Sequence, residues 1–327
     1  MSIYYVDPTK TGGANNGTTR ADAWLSIQTA FDTATAGDFV YCIGTQTLTA
    51  VLDIDTQIGT IGSYIVFKGI NTDGSVDPED DVDGTQFIID GNSYGGDNID
   101  VTGTRSFYQF VNIASINSTA YGMDINGAMV SCIFRGCSFD NNLVGMDMGT
   151  TTNGTSFMQC SFDSNGSNGI SNIEASLFDC CQAIGNTTSG FLRQGFGGLS
   201  CWHNTIAHNN GSYGISMEGD YVINCVLDGN VSGIAAGATY GHVIYSRLTN
   251  NSAYGITSLL STDGLNEARN AFYNNTSGEF GIGNFQNMGV DISMAGDGYV
   301  NRAGDNFSLT DSAEGRREAV LIGAWSA

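Results

Sequence analysis

The segments "CSFDNNLVGMDMG" (137–149), "CSFDSNGSNGIS" (160–171) and "CVLDGNVSGIAAG" (225–237) are variants of one unit. An Asn recurs as its anchor at Asn92, Asn117, Asn142, Asn165, Asn186, Asn209, Asn230, Asn251 and Asn275, at intervals of 21 to 25 residues. A small or thiol side chain stands five residues earlier in most copies, as at Cys137, Cys160, Cys181, Asn204, Cys225 and Ser246. An apolar residue stands three earlier, as at Phe139, Phe162, Ala183, Ile206 and Leu227. Gly followed by an apolar residue comes soon after, as at Gly122-Met123, Gly145-Met146, Gly169-Ile170 and Gly233-Ile234.

Within each unit, apolar residues alternate with polar ones and Asn/Gly turns intervene. That pattern describes short strands, not helices. A fixed period of this length describes a solenoid, in which each unit is one coil. The expected fold is all-β: a right-handed parallel β-helix of about 10–12 coils with an amphipathic N-terminal capping helix. The Asn column is expected to form an amide ladder at a turn. The Cys and Phe/Ile/Leu columns are expected to point inward. Residues 22–34, "DAWLSIQTAFDTA", place Trp24, Ile27, Ala30, Phe31 and Ala34 at helical spacing and are read as the cap. The chain divides into an N-terminal loop and cap (1–40), the β-helix (41–290) and a closing segment (291–327).

Two stretches resemble the pectate-lyase-like right-handed parallel β-helix superfamily: "YYVDPTKTGGANNGTTRADAWLSIQTAFDTATAGDFVYC" near the start and "NFSLTDSAEGRREAVLIGA" near the end. The resemblance implies the fold. Function is left open, because that fold hosts lyases, hydrolases, epimerases, adhesins and viral spikes. Pectate-lyase chemistry would imply a Ca²⁺ cluster beside a basic residue. The chain has 11 basic residues, several near its ends (Lys10, Arg20, Arg302, Arg316, Arg317). Polygalacturonase-like hydrolases would imply Asp-Asp and Gly-His-Gly motifs. Here Asp80-Asp81 lies in an acidic loop and Gly241-His242-Val243 departs from the second motif.

The formal charge is −22, with 33 acidic residues. No basic footprint for nucleic acid is present. No apolar run is long enough to span a bilayer, and the first residues lack the pattern of a signal peptide, so no membrane insertion is expected.

The candidate chemistry lies at outward positions. Arg135, Met158, Asp179 and Trp202 are aligned at one position, and Gln159, Cys180, His203, Asn224, Tyr245 and Arg269 at the next. Asp179, Trp202 and His203 would then meet on adjacent coils. With Arg135 and Tyr245 they form the expected carbohydrate-binding set, a ring for stacking and polar groups for hydroxyls. Asp179, His203, Asp140 and Asp163 are the catalytic candidates, and Asp140 and Asp163 fall one coil apart, a separation retaining glycosidases use. Asp77, Asp80, Asp81 and Asp83 in "NTDGSVDPEDDVDG" (71–84) have calcium-like spacing, and Ca²⁺ is the cofactor they would take. The eight Cys form no metal-binding pattern and are expected to be mostly free and buried.

Two function classes follow. The first is a structural, receptor- or glycan-binding component of a bacteriophage virion: a spike, fibre head or capsid decoration. It would partner other virion proteins or a cell-surface glycan, in a form compatible with a homotrimer, and be located in the virion. The second is a polysaccharide lyase or glycoside hydrolase, acting extracellularly.

Overall fold

The computed structural model describes residues 1–71, 86–92, 94–149, 153–193, 198–237, 241–258 and 264–281, with short stretches at 284–287, 292–293, 299–301 and 306–309. It is an all-β parallel β-solenoid of about nine turns. One sheet has 12 strands and runs from Ile3–Val6 through Phe39–Ile43, Tyr108–Val111, Ile133–Arg135, Leu177–Asp179 and Cys201–His203 to Asn284–Asn287. Ile3–Val6 joins this sheet without a three-sided winding behind it, since the helix follows.

Two further faces complete each coil. The second gathers strands such as Phe87–Asp90, Gln182–Ile184 and Val226–Asp228. The third gathers Leu52–Ile54, Ile99–Val101, Tyr121–Asp124, Val144–Asp147 and Ser232–Ala236. Single bridges such as Ser138↔Ser161 and Phe191↔Ile215 carry both faces across coils too irregular for named strands. Pairing is parallel and in register, so residues at equivalent positions stack directly.

The alternation of each strand fills the interior. Phe67, Phe110, Phe134, Phe157, Phe178 and Trp202 form one file beneath the long sheet. Successive ring centroids are 4.8–5.7 Å apart, and the planes lie within 16° of parallel. This is offset stacking at the strand spacing, which adds to the hydrophobic gain of burying each ring. Val222 and Val243 continue the file.

Cys137, Cys160 and Cys181 make a second interior file, and Cys225 continues it beyond Thr205. Cys42, Cys132, Cys137, Cys160, Cys181 and Cys225 are buried free thiols, Cys201 is intermediate and Cys180 is exposed. Burial pushes the Cys225 thiol up to about 12 and holds Cys137 and Cys160 far above the usual thiol range.

The amide ladder forms, with two of its members displaced by one residue. It runs Asn142, Asn165, Asn186, Asn210, Asn230, Asn251, Asn275, headed by Ser118 instead of Asn117, and it contains Asn210 instead of Asn209. Each Oδ1 accepts the backbone N–H of the residue one coil earlier, at 2.8–3.1 Å. Side-chain amides of Asn165, Asn186, Asn210 and Asn251 also donate to the next Asn Oδ1 at 2.8–3.0 Å. Asn117 and Asn209 instead occupy the preceding corner, where φ is positive (59° and 52°), a conformation Asn tolerates.

The glycine column has its own cause. A Cβ on Gly145, Gly169, Gly190, Gly214 or Gly233 would come within 2.3–2.8 Å of the next glycine's carbonyl oxygen, so successive backbones can approach only without a side chain there.

The helix covers Ile27–Thr33 and is shorter than the expected 22–34. Ser26 is extended (φ −143°) and its side chain accepts the Gln28 N–H, which fixes the start there. Trp24 lies outside the helix, bridged to Val6 and stacked on Tyr4 at 4.7 Å. Ile27, Ala30, Phe31 and Ala34 are buried as expected. No helix among the described residues is long and apolar enough to cross a membrane.

Candidate functional site

The outer surface of the long sheet carries the first site. Its register pairs Asp179 with His203 and Phe178 with Trp202. Trp202 therefore points inward, is fully buried, and stacks on Phe178 at 5.7 Å. This corrects the expected sugar-stacking role. The expected alignment is one residue out of this register, and in a strand such an offset exchanges the two faces.

His203 and Asp179, by contrast, meet. Nδ1 of His203 lies 2.9 Å from Oδ1 of Asp179, with the side chains 45% and 39% exposed. Asn204 donates to the same Oδ1 at 3.2 Å, and Asn224 donates to Asn204 Oδ1 at 2.6 Å. Exposed polar side chains are thus linked from coil to coil along the solenoid axis.

On the same face the Tyr221 and His242 rings stack at 4.9 Å and 3°. Farther along, Arg269 donates to the Tyr245 hydroxyl at 2.7 Å and lies over its ring. Arg135 shares Asp179's column, but Met158 stands between them, so Arg135 is not brought to the Asp179–His203 pair.

Asp140 and Asp163 fall one coil apart, as expected, but on the second face, with their oxygens engaged by the fold. Asp140 accepts the Asp163 N–H at 2.7 Å and the Ser161 hydroxyl at 2.8 Å. Asp163 accepts the Ile184 N–H at 2.7 Å and the Gln182 amide. Burial raises the Asp140 pKa, against these hydrogen bonds, which lower it. Farther along, Asp228 is fully buried, accepts from Thr249 and Asn250, and lies 3.1 Å from His208 Nδ1. Asp77, Asp80, Asp81 and Asp83 lie outside the described residues.

The third face holds a second site that sequence reasoning missed. Asp53, Asp100, Asp124 and Asp147 stack in register on successive coils. Asn126 bridges Asp100 and Asp124 at 3.0 and 2.9 Å, and Asn172 donates to Asp147 at 2.7 Å. Asp124, Asp147, Asn126, Asn172 and Thr104 line an open cleft of about 490 Å³. Burial, and then the neighbouring carboxylates Asp97, Asp147 and Asp100, raise the Asp124 pKa to about 6. The sequence signal was "GMD", present at 122–124 and again at 145–147. Met123 and Met146 are buried, and the aspartate after each takes the outward position. No group of three or more His, Cys, Asp or Glu that could hold a metal occurs among the described residues.

No protein-family model matches the chain, and no curated protein matches it by sequence. Solved structures do. The pectate lyase Pel9A aligns with a TM-score of 0.65 at 13% identity, over 96% of this chain and 90% of its own. An alginate lyase from Paenibacillus sp. str. FPU-7 aligns at 0.61 and 12% identity, over 82% of this chain and 96% of its own. ORF18 of Geobacillus virus E2 aligns at 0.60 and 13% identity, over 91% of this chain and 62% of its own. At these identities the likeness is one of fold, and by fold this chain is a pectate-lyase-like parallel β-solenoid.

Proposed function

We propose that the chain is a glycan-binding component of a bacteriophage virion, a spike, fibre head or capsid decoration, which holds a polysaccharide along the outer face of its long sheet. One observation carries this reading: the hydrogen-bonded run Asp179–His203–Asn204–Asn224 is partly exposed, spans successive coils and caps no interior backbone group. Side chains in such a run are free to meet hydroxyl groups, and the stacked Tyr221/His242 pair offers an apolar surface beside them. The rise of ~4.8 Å per coil is close to the length of a pyranose unit, so successive sugars would meet equivalent positions. The likeness to a viral protein supports the virion setting. Assembly with other virion proteins, as a homotrimer, belongs to the same proposal.

A second reading, a polysaccharide lyase or hydrolase, is favoured by the 2.9 Å His203–Asp179 contact, since a carboxylate on Nδ1 orients an imidazole as a general base. Incubation with a panel of capsular and algal polysaccharides separates the two. Retention on immobilised glycan without chain shortening, weakened by His203→Ala and Tyr221→Ala, is the expected result. Depolymerisation that disappears in Asp179→Ala or His203→Ala establishes the enzyme instead.

A further inference from the structure

The glycan itself can be narrowed. Resting on the glycan-binding reading, we infer that the face between Leu177 and Tyr245 recognises a neutral polysaccharide bearing small apolar substituents, such as the methyl of a 6-deoxyhexose or the acetyl of an N-acetylhexosamine.

Charge is the first argument. The whole chain carries −22, yet over these coils the outward positions of the sheet and its following corner hold one carboxylate, Asp179, and no lysine or arginine. A polyuronate would set one carboxylate per sugar along this line. It would find Asp179 opposing it, and the nearest cation, Arg269, stands one coil beyond the face and is engaged with the Tyr245 hydroxyl and ring.

Side-chain chemistry is the second. Leu177 and Tyr221 are 40% and 37% exposed, and Ile223 and Ile244 stack in the same column as Asp179 and His203. The column thus turns from polar to apolar beyond His203, with Tyr221 and Leu177 in the column beside it. Ring faces suit the C–H side of a pyranose, and the aliphatic groups suit a methyl or acetyl.

Backbone strain is the third. Within this face the corner after the sheet places Cys180, Asn204, Asn224 and Tyr245 at φ of 51° to 55°; Asn tolerates that conformation, whereas Cys180 and Tyr245 are strained in it. The corresponding corner after the second sheet uses only residues that tolerate the conformation: Asn117, Asn141, Ser164, Gly185, Asn209 and their successors. At Cys180 and Tyr245 the first corner therefore keeps side chains that folding alone disfavours, as a recognition edge would.

The test is titration of the intact protein with a rhamnose-containing neutral polysaccharide, an N-acetylglucosamine oligomer, dextran and polygalacturonate, at low and high salt. The expected result is binding of a methyl- or acetyl-bearing glycan, unchanged by salt within about twofold, and absent for polygalacturonate. Ile223→Ser and Ile244→Ser should each weaken it by roughly tenfold with the unfolding midpoint preserved. Tighter binding of polygalacturonate that salt abolishes and Tyr221→Ala weakens would overturn the substituent class while leaving glycan binding intact. Binding of none of the four would remove both.

Discussion

At the scale of the residue, Asp124 shows how stacking turns an ordinary side chain into a strained one. Its carboxyl is half-buried and has Asp97, Asp147 and Asp100 nearby, so the folded state holds its proton up to about pH 6. In the unfolded chain the group titrates near its ordinary value, about 3.9. The folded state therefore binds the proton more tightly, and stability falls as pH rises from about 4 to about 6. Water screens a half-exposed group, so the loss is on the order of 1 kcal/mol. Asp124→Asn should remove this dependence and leave the variant more stable than the parent at neutral pH. Urea midpoints at about pH 4.5 and about pH 7.5 check it. A parent that gains stability across that interval would contradict the argument.

At the scale of the element, the corner between the second and third faces separates two adjacent asparagines that look alike in sequence. Asn210 is buried and accepts the Asn186 backbone N–H at 3.1 Å and its side-chain amide at 2.8 Å. Asn209 is exposed, and its part is to adopt φ 52°. Asn210→Ala leaves buried donors without an acceptor and should cost ~2–4 kcal/mol. Asn209→Gly keeps the backbone conformation without a Cβ and should fall within ~0.5 kcal/mol of the parent. Denaturant unfolding of the two variants is the measurement. Equal costs would mean that the ladder does not hold the coils together. The same pair explains what could be read in advance. The period and the Asn column disclosed the solenoid, but choosing between Asn209 and Asn210 needs the register of a single coil. That coil is also irregular: Thr205 stands in the thiol file where its neighbours carry Cys181 and Cys225. Without a Cys there, the sequence does not fix the register of that coil, and a one-residue offset exchanges the faces of Trp202 and His203.

At the scale of the whole molecule, the period was legible because it repeats, and the register of single coils was not. Asp179 and His203 meet as expected, whereas the aromatic file beneath them, which ends on Trp202, depends on that register. The aspartate ladder needs register as well, since Asp124 and Asp147 share the segment GMD but Asp53 and Asp100 do not. That ladder and the net charge of −22 place two kinds of repulsion on the fold, acting over different distances. Repulsion across the molecule is screened once the Debye length falls to ~10 Å, near 0.1 M salt. Repulsion between aspartates one coil apart, ~4.8 Å, persists until that length approaches ~3 Å, near 1 M. The melting temperature of the parent should therefore keep rising well beyond about 0.1 M NaCl, by a few degrees in all, as ~1 kcal/mol implies for a chain of this size. In Asp124→Asn the ladder is interrupted, so the rise should level off near about 0.1 M. Melting curves of both proteins in a salt series decide it. Parallel curves would mean that the stacked carboxylates add nothing to the general acidity of the chain.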